Sequence, residues 1–247
     1  MKKNFLIGII LFFAAWWVVA TVHVLDAFFL PGPIEVIIDL AQMLFAGTLN
    51  ADIYATLLRL GLAFGIAIVI GVPLGILLGA STKIYESVEF IIDFFRSLPA
   101  TAIFPLFLLV FGIDDSSKIA VAAFGAALVI IFNTAHGVMN TKPSRIIAAK
   151  LMGAKKLQIF KSIVFWESLP QTFIGIRTAI SLALIIIIVT EMFIGTYAGL
   201  GRRIIDFQYI YNVKGMFGII LLTGIIGYAL NLILAKIENK VVHWKGK

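Results

Sequence analysis

The residues of this sequence that could do chemistry are a few charged side chains inside long apolar segments. Arg96, Arg177 and Glu191 lie in or at the end of such segments, and Asp93 precedes Arg96 by three residues. Ionisable groups at membrane depth are costly, face protein or water, and often mark substrate or ion pathways. Arg96, Arg177 and Glu191, together with Pro99, are therefore candidates for a pathway or gate. A purely structural ion pair between Asp93 and Arg96 on one helix face explains their spacing equally well.

Covalent and metal chemistry find no support in the sequence. It contains no Gly-x-x-x-x-Gly-Lys-[Ser/Thr] loop that could cradle a triphosphate, no Ser/His/Asp set and no cysteine. His23, His136 and His243 are too far apart in the sequence to suggest a metal cluster. We therefore predict no catalytic residue, no bound cofactor and no metal, and we do not expect the chain to be an enzyme.

The composition is that of a membrane protein. Of the 247 residues, 61% are hydrophobic and 13% are charged, and the mean hydropathy is +1.06. These values indicate a bundle of membrane spans rather than a soluble domain. A net charge of +7 in a soluble chain would suggest a nucleic-acid partner. Here the basic residues lie between apolar runs, so the positive-inside rule explains them better.

Six apolar runs approach or exceed the ~20 residues that cross a bilayer. The first contains Trp16 and Trp17 and lacks a convincing small-x-small cleavage site, so we interpret it as a span; a cleaved signal peptide is the alternative. After it, Pro31, Pro33 and an alternation of apolar and acidic residues predict a short interfacial helix within residues 26–52. The predicted spans are residues 5–25, 53–80, 88–112, 118–138, 171–189 and 213–235.

The second predicted span carries a ladder of glycines. Small residues at this spacing let a neighbouring helix approach closely in lipid, where packing drives helix association. Pro73 within the same run should bend the helix. The glycines are Gly61, Gly65, Gly71, Gly75 and Gly79.

One long break, at residues 142–170, interrupts the apolar runs. Its apolar residues recur near helical spacing with cations between them, which predicts short amphipathic helices with a basic face. Such a helix could lie among anionic lipid headgroups, or it could seat in a groove of a soluble partner. The cations are Lys142, Arg145, Lys150, Lys155, Lys156 and Lys161, and no acid precedes Glu167.

The basic residues also predict the orientation. With both termini and this break on the inner side, fifteen Lys and Arg residues lie inside and five lie outside. We therefore predict a multi-pass protein of the cell membrane with both termini in the cytoplasm. The five outer residues are Arg59, Lys118, Arg202, Arg203 and Lys214.

The break resembles the coupling loop of the membrane subunits of binding-protein-dependent ABC importers. The match consists of Ala148-Ala149, Gly153 after three spacers, and Ile163 after nine more. The sequence departs from the family at Ile147, where Glu is usual, and at Phe165-Trp166, where Leu-Pro is usual. Further fragments are similar to the nitrate, sulfonate and taurine subfamily, in its order: Leu30-Pro31-x-Pro33, Pro73-Leu74-Gly75, Phe95-Arg96-Ser97-Leu98-Pro99, Pro105-Leu106-Phe107, Phe111-Gly112-Ile113 and Ser117-Lys118-Ile119.

This resemblance implies an all-α integral membrane protein with about six transmembrane helices and the type I ABC importer permease fold. Residues 1–51 would hold the first span and the interfacial helix, residues 52–238 the transporter domain with the coupling loop at 142–166, and residues 239–247 a basic cytoplasmic tail. The implied partners are two cytoplasmic ATP-binding subunits that use ATP, a second and identical permease copy, and an extracytoplasmic substrate-binding protein. The implied coupling residues are Ala148, Ala149, Leu151, Gly153, Ala154 and Ile163.

The implied function is that of a permease subunit that forms the substrate pathway and transmits ATPase motion through the loop around Gly153. The subfamily suggests a small anion such as nitrate, a sulfonate or taurine, and a vitamin precursor of the pyrimidine or flavin type is the alternative. An ion-driven secondary transporter is a further alternative. Against it, intramembrane acids for an ion relay are few and no inverted repeat is evident.

Overall fold

The computed structural model describes residues 3–22, 26, 28–193 and 195–244. All regular structure in these residues is helical. The helices are α1 (Lys3–Thr21), α2 (Pro33–Phe45), α3 (Asn50–Gly79), α4 (Thr82–Ser97), α5 (Phe104–Phe111), α6 (Asp115–Met139), α7 (Pro143–Leu151), α8 (Lys156–Ile159), α9 (Phe165–Glu191), α10 (Leu200–Tyr209) and α11 (Val213–Val241). Between α8 and α9, Phe160–Val164 forms a π-helical segment.

Long apolar helices account for most of the predicted spans. Among the described residues, four helices are long and apolar enough to cross a membrane: Asn50–Gly79, Asp115–Met139, Lys156–Glu191 and Val213–Val241. A shorter apolar helix, Ile7–Thr21, covers most of the first predicted span; residues 23–25 of that span lie outside the described residues. The short helix predicted after Pro31 is confirmed as α2, which has Pro33 in its first turn.

The third predicted span is wrong as a single helix. Residues 98–103 are not helical and separate α4 from α5. Leu98, which precedes Pro99, has an extended backbone with ψ 130°, as expected because the proline ring disfavours the helical conformation of the residue before it. Helix then resumes at Phe104, with Pro105 in the first turn, where its missing N–H costs nothing.

The predicted boundary of the loop at Pro170 is also wrong. Helical structure runs without a break from Lys156 to Glu191, so the fifth span begins well before residue 171. Pro170 lies inside α9. Residues 142–155 remain as the true interruption, because α7 ends at Leu151 and the chain turns before α8.

Close helix packing at the glycine ladder is confirmed for its second half. A Cβ on Gly71, Gly75 or Gly79 would lie within 3 Å of atoms of α6, including Thr134 Cβ at 2.6 Å from Gly75. These glycines therefore let α3 and α6 approach backbone to backbone. Gly61 and Gly65 have no such neighbour within 4 Å.

Contacts divide the chain into two units. The first unit comprises Met1–Thr56 and Glu191–Ile226, and the second comprises Leu57–Thr190 and Gly227–Lys247.

Each unit has its own packing. In the first, the Trp16 ring stacks on Phe217 with 5.9 Å between centroids, and its Nε1 donates a hydrogen bond to Pro31 O at 3.1 Å. Trp16 thus ties α1 to α11 and to the turn before α2. In the second, the core includes Phe104 of α5 and Val121 of α6, which are fully buried. This core anchors α5 on α6 despite the break before it.

Candidate functional site

The turn between α7 and α8 is built by main-chain hydrogen bonds. Gly153 has a left-handed φ of +79°. Its N–H donates to Lys150 O at 3.0 Å, and the next N–H, of Ala154, donates to Ala149 O at 3.0 Å. These two bonds and the left-handed residue define a Schellman motif. Only glycine takes this conformation without steric cost, so the turn depends on Gly153.

The tip of this turn is apolar and faces outward. Leu151 is 84% exposed and Met152 is 87% exposed, and a Cβ added at Gly153 would meet no atom within 4 Å. The six cations of the segment are exposed as well. Apolar side chains held out by a rigid turn and surrounded by cations suit a docking element. Among the predicted coupling residues, Ala148, Leu151 and Gly153 are exposed, and Ala149, Ala154 and Ile163 are half-buried.

One carboxylate fastens α7 to α9. The Glu167 side chain accepts hydrogen bonds from the backbone N–H of Lys142, at 3.0 Å, and from the Arg145 guanidinium. Glu167 is only 16% exposed. Sequence reasoning assigned it no role, although its position as the first acid after six cations was a usable signal. We call this contact the Glu167 clasp.

Ile163 is separated from the other predicted coupling residues. It lies in the π-helical segment and lines an open cavity of about 480 Å³. Arg145 and Glu167 also line this cavity, as do Trp166 and Trp244, whose ring centroids are 5.4 Å apart. Ile163 thus belongs to the base of the loop and not to its tip.

Glu191, predicted as a pathway candidate, is fully buried in the first unit. Its carboxylate accepts hydrogen bonds from Thr56 Oγ1 at 2.9 Å and from the Gly201 N–H at 3.0 Å. Thr56 Oγ1 in turn accepts the Leu200 N–H at 2.9 Å. The first N–H groups of α10 therefore donate to Glu191 and Thr56. The negative charge of Glu191 at this helix N-terminus also complements the helix dipole.

Asp52 extends this buried network. It accepts a hydrogen bond from the Gly199 N–H at 2.9 Å and pairs with Arg203, whose Nη2 lies 2.7 Å from Oδ2. Asp52 is 4% exposed. Neither Asp52 nor Thr56 carried a sequence signal, because their partners Gly199 and Leu200 lie 147 and 144 residues away in the chain.

Arg96 and Pro99, both predicted pathway candidates, border one cavity of the second unit. The ion pair between Asp93 and Arg96 is confirmed, with 3.0 Å between Oδ1 and Nη1. The Arg96 guanidinium carbon also lies 3.7 Å from the centroid of the Phe132 ring. A cation over an aromatic face is stabilised by the ring quadrupole, so α6 holds this arginine from a second side.

Arg177 lies elsewhere in the second unit. Its Nη1 is 3.2 Å from Glu238 Oε2, and Glu238 is 5% exposed. One turn along, Asn231 Nδ2 donates to Ser181 Oγ at 2.7 Å. The structure therefore brings Arg96 and Pro99 together, and it places Arg177 and Glu191 each in a separate polar cluster. Pathway roles for these residues remain predictions.

Residues 71–243 match the family model described as binding-protein-dependent transport system inner membrane component. The chain belongs to this family. It is therefore a multi-pass membrane protein and the permease component of an ABC importer.

Curated relatives and a solved structure agree with this family. The chain is 26% identical to the putative aliphatic sulfonates transport permease SsuC of Bacillus subtilis, over 94% of this chain and 84% of that protein. It is 30% identical to the formylaminopyrimidine transport permease ThiX of Halalkalibacterium halodurans, over 94% and 92%. The fold matches that of the inward-facing MetNI methionine ABC transporter with a TM-score of 0.68 and 24% identity, over 78% of this chain and 95% of that one.

Proposed function

We propose that this permease forms the substrate pathway of an ATP-driven importer and receives the ATPase motion through the turn at Gly153. The observation that carries the proposal is the exposed apolar tip, Leu151 and Met152, presented by a Schellman motif. A tip of this kind can seat in a groove of a soluble subunit, because its shape is fixed before binding. The partners are two cytoplasmic ATP-binding subunits, a second copy of this chain and an extracytoplasmic substrate-binding protein.

The Glu167 clasp supplies the mechanical link in this mechanism. When the ATP-binding subunits close, they displace α7, and the clasp passes that displacement to α9 at Glu167. Arg145 is exposed, so breaking the clasp costs about 1 kcal/mol or less, but its two hydrogen bonds hold the start of α7 against α9. Two permease copies then alternate between inward-facing and outward-facing states around the substrate.

The names of the relatives support two candidate substrate classes. SsuC is named for aliphatic sulfonates and ThiX for a formylaminopyrimidine. A small anion such as a sulfonate, taurine or nitrate is the first candidate, since Arg96 lines a cavity of the second unit. A pyrimidine-type vitamin precursor is the second candidate, favoured by the higher identity to ThiX.

The decisive experiment compares two glycines in the complex with its ATP-binding subunits and binding protein. Gly153 and Gly112 have φ values of +79° and +82°, and neither has an atom within 4 Å of its Cβ position. Gly153→Val strains a left-handed turn by about 1–3 kcal/mol. Gly112→Val introduces strain at least as large, because ψ at Gly112 is 179° and this combination is essentially restricted to glycine. We expect both variants to assemble, and we expect only Gly153→Val to lose the stimulation of ATP hydrolysis by loaded binding protein. Equal stimulation in the two variants would contradict the coupling role.

Orientation is tested separately, because the chain has no cysteine of its own. A cysteine introduced by Met152→Cys, at a position that is 87% exposed, should react with an impermeant thiol reagent only from the cytoplasmic side of sealed vesicles. A cysteine introduced by Tyr197→Cys, at a fully exposed position, should react only from the opposite side. The reverse pattern would overturn the predicted topology.

A further inference from the structure

A cavity of about 340 Å³ lies at the break between α4 and α5. Three elements contribute to its wall: the end of α4 and the break, α6, and α9. Gly125 on α6 brings these elements together, because its Cβ position would lie 2.8 Å from Ile186 Cδ1 and 3.3 Å from Ala100 Cβ. The lining residues are Phe95, Arg96, Ser97, Leu98, Pro99, Ala100, Phe124, Gly125, Leu128, Val129 and Leu182.

The break lies within the third predicted span, residues 88–112, and the apolar helix α5 follows it directly, so we place it at membrane depth. Irregular backbone at that depth is tolerated only where it is buried in protein or lines a water-filled cavity. The cavity at residues 98–100 meets this requirement if it holds water.

Arg96 is the only charged residue among the lining residues, all of which the structure describes. Asp93, its ion-pair partner, does not line the cavity. Within the described residues, the guanidinium uses Nη1 for its one hydrogen bond, to Asp93 at 3.0 Å. An arginine has five N–H donors in a planar fork, so the others remain for an anion with several oxygens.

We propose that this cavity is a water-filled subsite of the transport pathway that takes a small oxyanion, such as an alkanesulfonate, with Arg96 as the anion-binding residue. Asp93 and the Phe132 ring fix the guanidinium in place, and the hydroxyl of Ser97 lies on the next residue. Phe95, Phe124 and Leu128 provide an apolar wall for a short alkyl group. The assignment to a transport pathway rests on the proposed function, whereas the charge preference of the cavity does not.

Acidic residues on α4 oppose this preference. Glu86, Glu89 and Asp93 follow one another at intervals of three and four residues along the same helix face as Arg96. Their field would favour a cation wherever it exceeds that of Arg96. The sign of the potential inside the cavity therefore decides the proposal, and it can be measured directly.

Two serines of α4 provide a matched pair of probes. Both serines are exposed, but only Ser97 lines the cavity, and Ser87 lies earlier on the same helix. Each hydroxyl donates to the carbonyl oxygen four residues before it, at 2.8 Å. Ser97→Cys and Ser87→Cys are therefore equivalent small changes in a chain without native cysteine.

The experiment measures how fast each introduced thiol reacts with methanethiosulfonate reagents in membranes that contain the chain alone, without ATP. One reagent carries a sulfonate and the other a trimethylammonium group. After normalisation to Ser87→Cys, we expect Ser97→Cys to react at least about fivefold faster with the sulfonate reagent. Adding Arg96→Gln should abolish this preference, and Arg96→Lys should retain most of it. Added ethanesulfonate should slow the reaction of the Ser97→Cys variant and leave that of the Ser87→Cys variant unchanged.

Three results would overturn the proposal: no reaction of the Ser97→Cys variant with either reagent, faster reaction with the cationic reagent, or an unchanged preference after Arg96→Gln. None of them depends on ATPase coupling. A failure here therefore leaves the proposed role of Gly153 untouched, and a failure of the Gly153 experiment leaves this proposal untouched.

Discussion

The Cβ position of Gly199 lies 2.5 Å from the carboxyl carbon of Glu191. No side chain fits in that space, and φ at Gly199 is +153°, which L-residues rarely adopt. Absence of a side chain lets the main chain before α10 pass directly over the buried carboxylate. The connection after α9 is thus fastened to the end of its own helix.

Replacing Gly199 by alanine should therefore destabilise the protein. Backbone strain of about 1–3 kcal/mol adds to the displacement of Glu191. Thermal unfolding in detergent can be measured as the loss of the monodisperse peak in size-exclusion chromatography. The variant should show a lower transition temperature. Gly224→Ala is the control, because no atom lies within 4 Å of its Cβ position; an equal loss in both variants would contradict the close-contact explanation.

Replacing Glu191 by alanine should also lower stability. The Gly201 N–H loses its acceptor in a buried site, at a cost of about 1–3 kcal/mol. Asp206→Ala provides the comparison, since its pair with Arg202 is 38% exposed on both sides and such pairs contribute about 0–1 kcal/mol. Thermal unfolding and substrate uptake should be measured together. Lost uptake at unchanged stability would instead support the predicted pathway role of Glu191.

The glycine ladder provides a matched test within one helix. Gly75→Val places a side chain against Thr134 Cβ and the Ile131 carbonyl oxygen of α6, whereas Gly61→Val meets nothing within 4 Å. Overpacking of this kind typically costs about 1–3 kcal/mol. We expect Gly75→Val to reduce the yield of folded protein and its thermal stability, and Gly61→Val to have little effect. Similar losses in both variants would mean that helix propensity, and not the approach of α6, limits this position.

Neutralising the Glu167 clasp should separate coupling from stability. Glu167→Gln weakens the bonds to Arg145 and to the Lys142 N–H, and the exposure of Arg145 limits the stability loss to about 1 kcal/mol or less. We expect ATP hydrolysis to persist while uptake per ATP falls. Asp206→Asn, which neutralises an exposed ion pair, should leave this ratio unchanged. An unaltered ratio in Glu167→Gln would show that the clasp does not transmit motion.

Apolar runs and prolines made most of the fold predictable. The helices that begin at Asn50, Asp115 and Val213 follow directly from uninterrupted hydrophobic stretches, and the turn at Gly153 follows from a glycine between two amphipathic segments. Leu98-Pro99 is a sequence signal for the break after Ser97. Hydropathy averaged over a window hides this signal and predicts one continuous span. Pro170 had the opposite effect, because it predicted the end of the loop at a position where α9 continues and tolerates a proline within it.

The polar clusters could not be predicted, since they join distant parts of the chain. Thr56 meets Glu191 across 135 residues, and Arg177 meets Glu238 across 61. Neither local spacing nor hydropathy contains that information. The predicted pair at Asp93 and Arg96 was accessible from sequence only because both residues lie on one helix turn.

The geometry of the turn after α7 is determined by main-chain hydrogen bonds, so it places few constraints on the neighbouring side chains. Apart from the glycine at position 153, no side chain is needed to form its two hydrogen bonds. Under the proposed coupling role, the shape that the turn presents to the ATP-binding subunit is therefore compatible with different neighbouring residues, such as Ile147 and Phe165-Trp166 here.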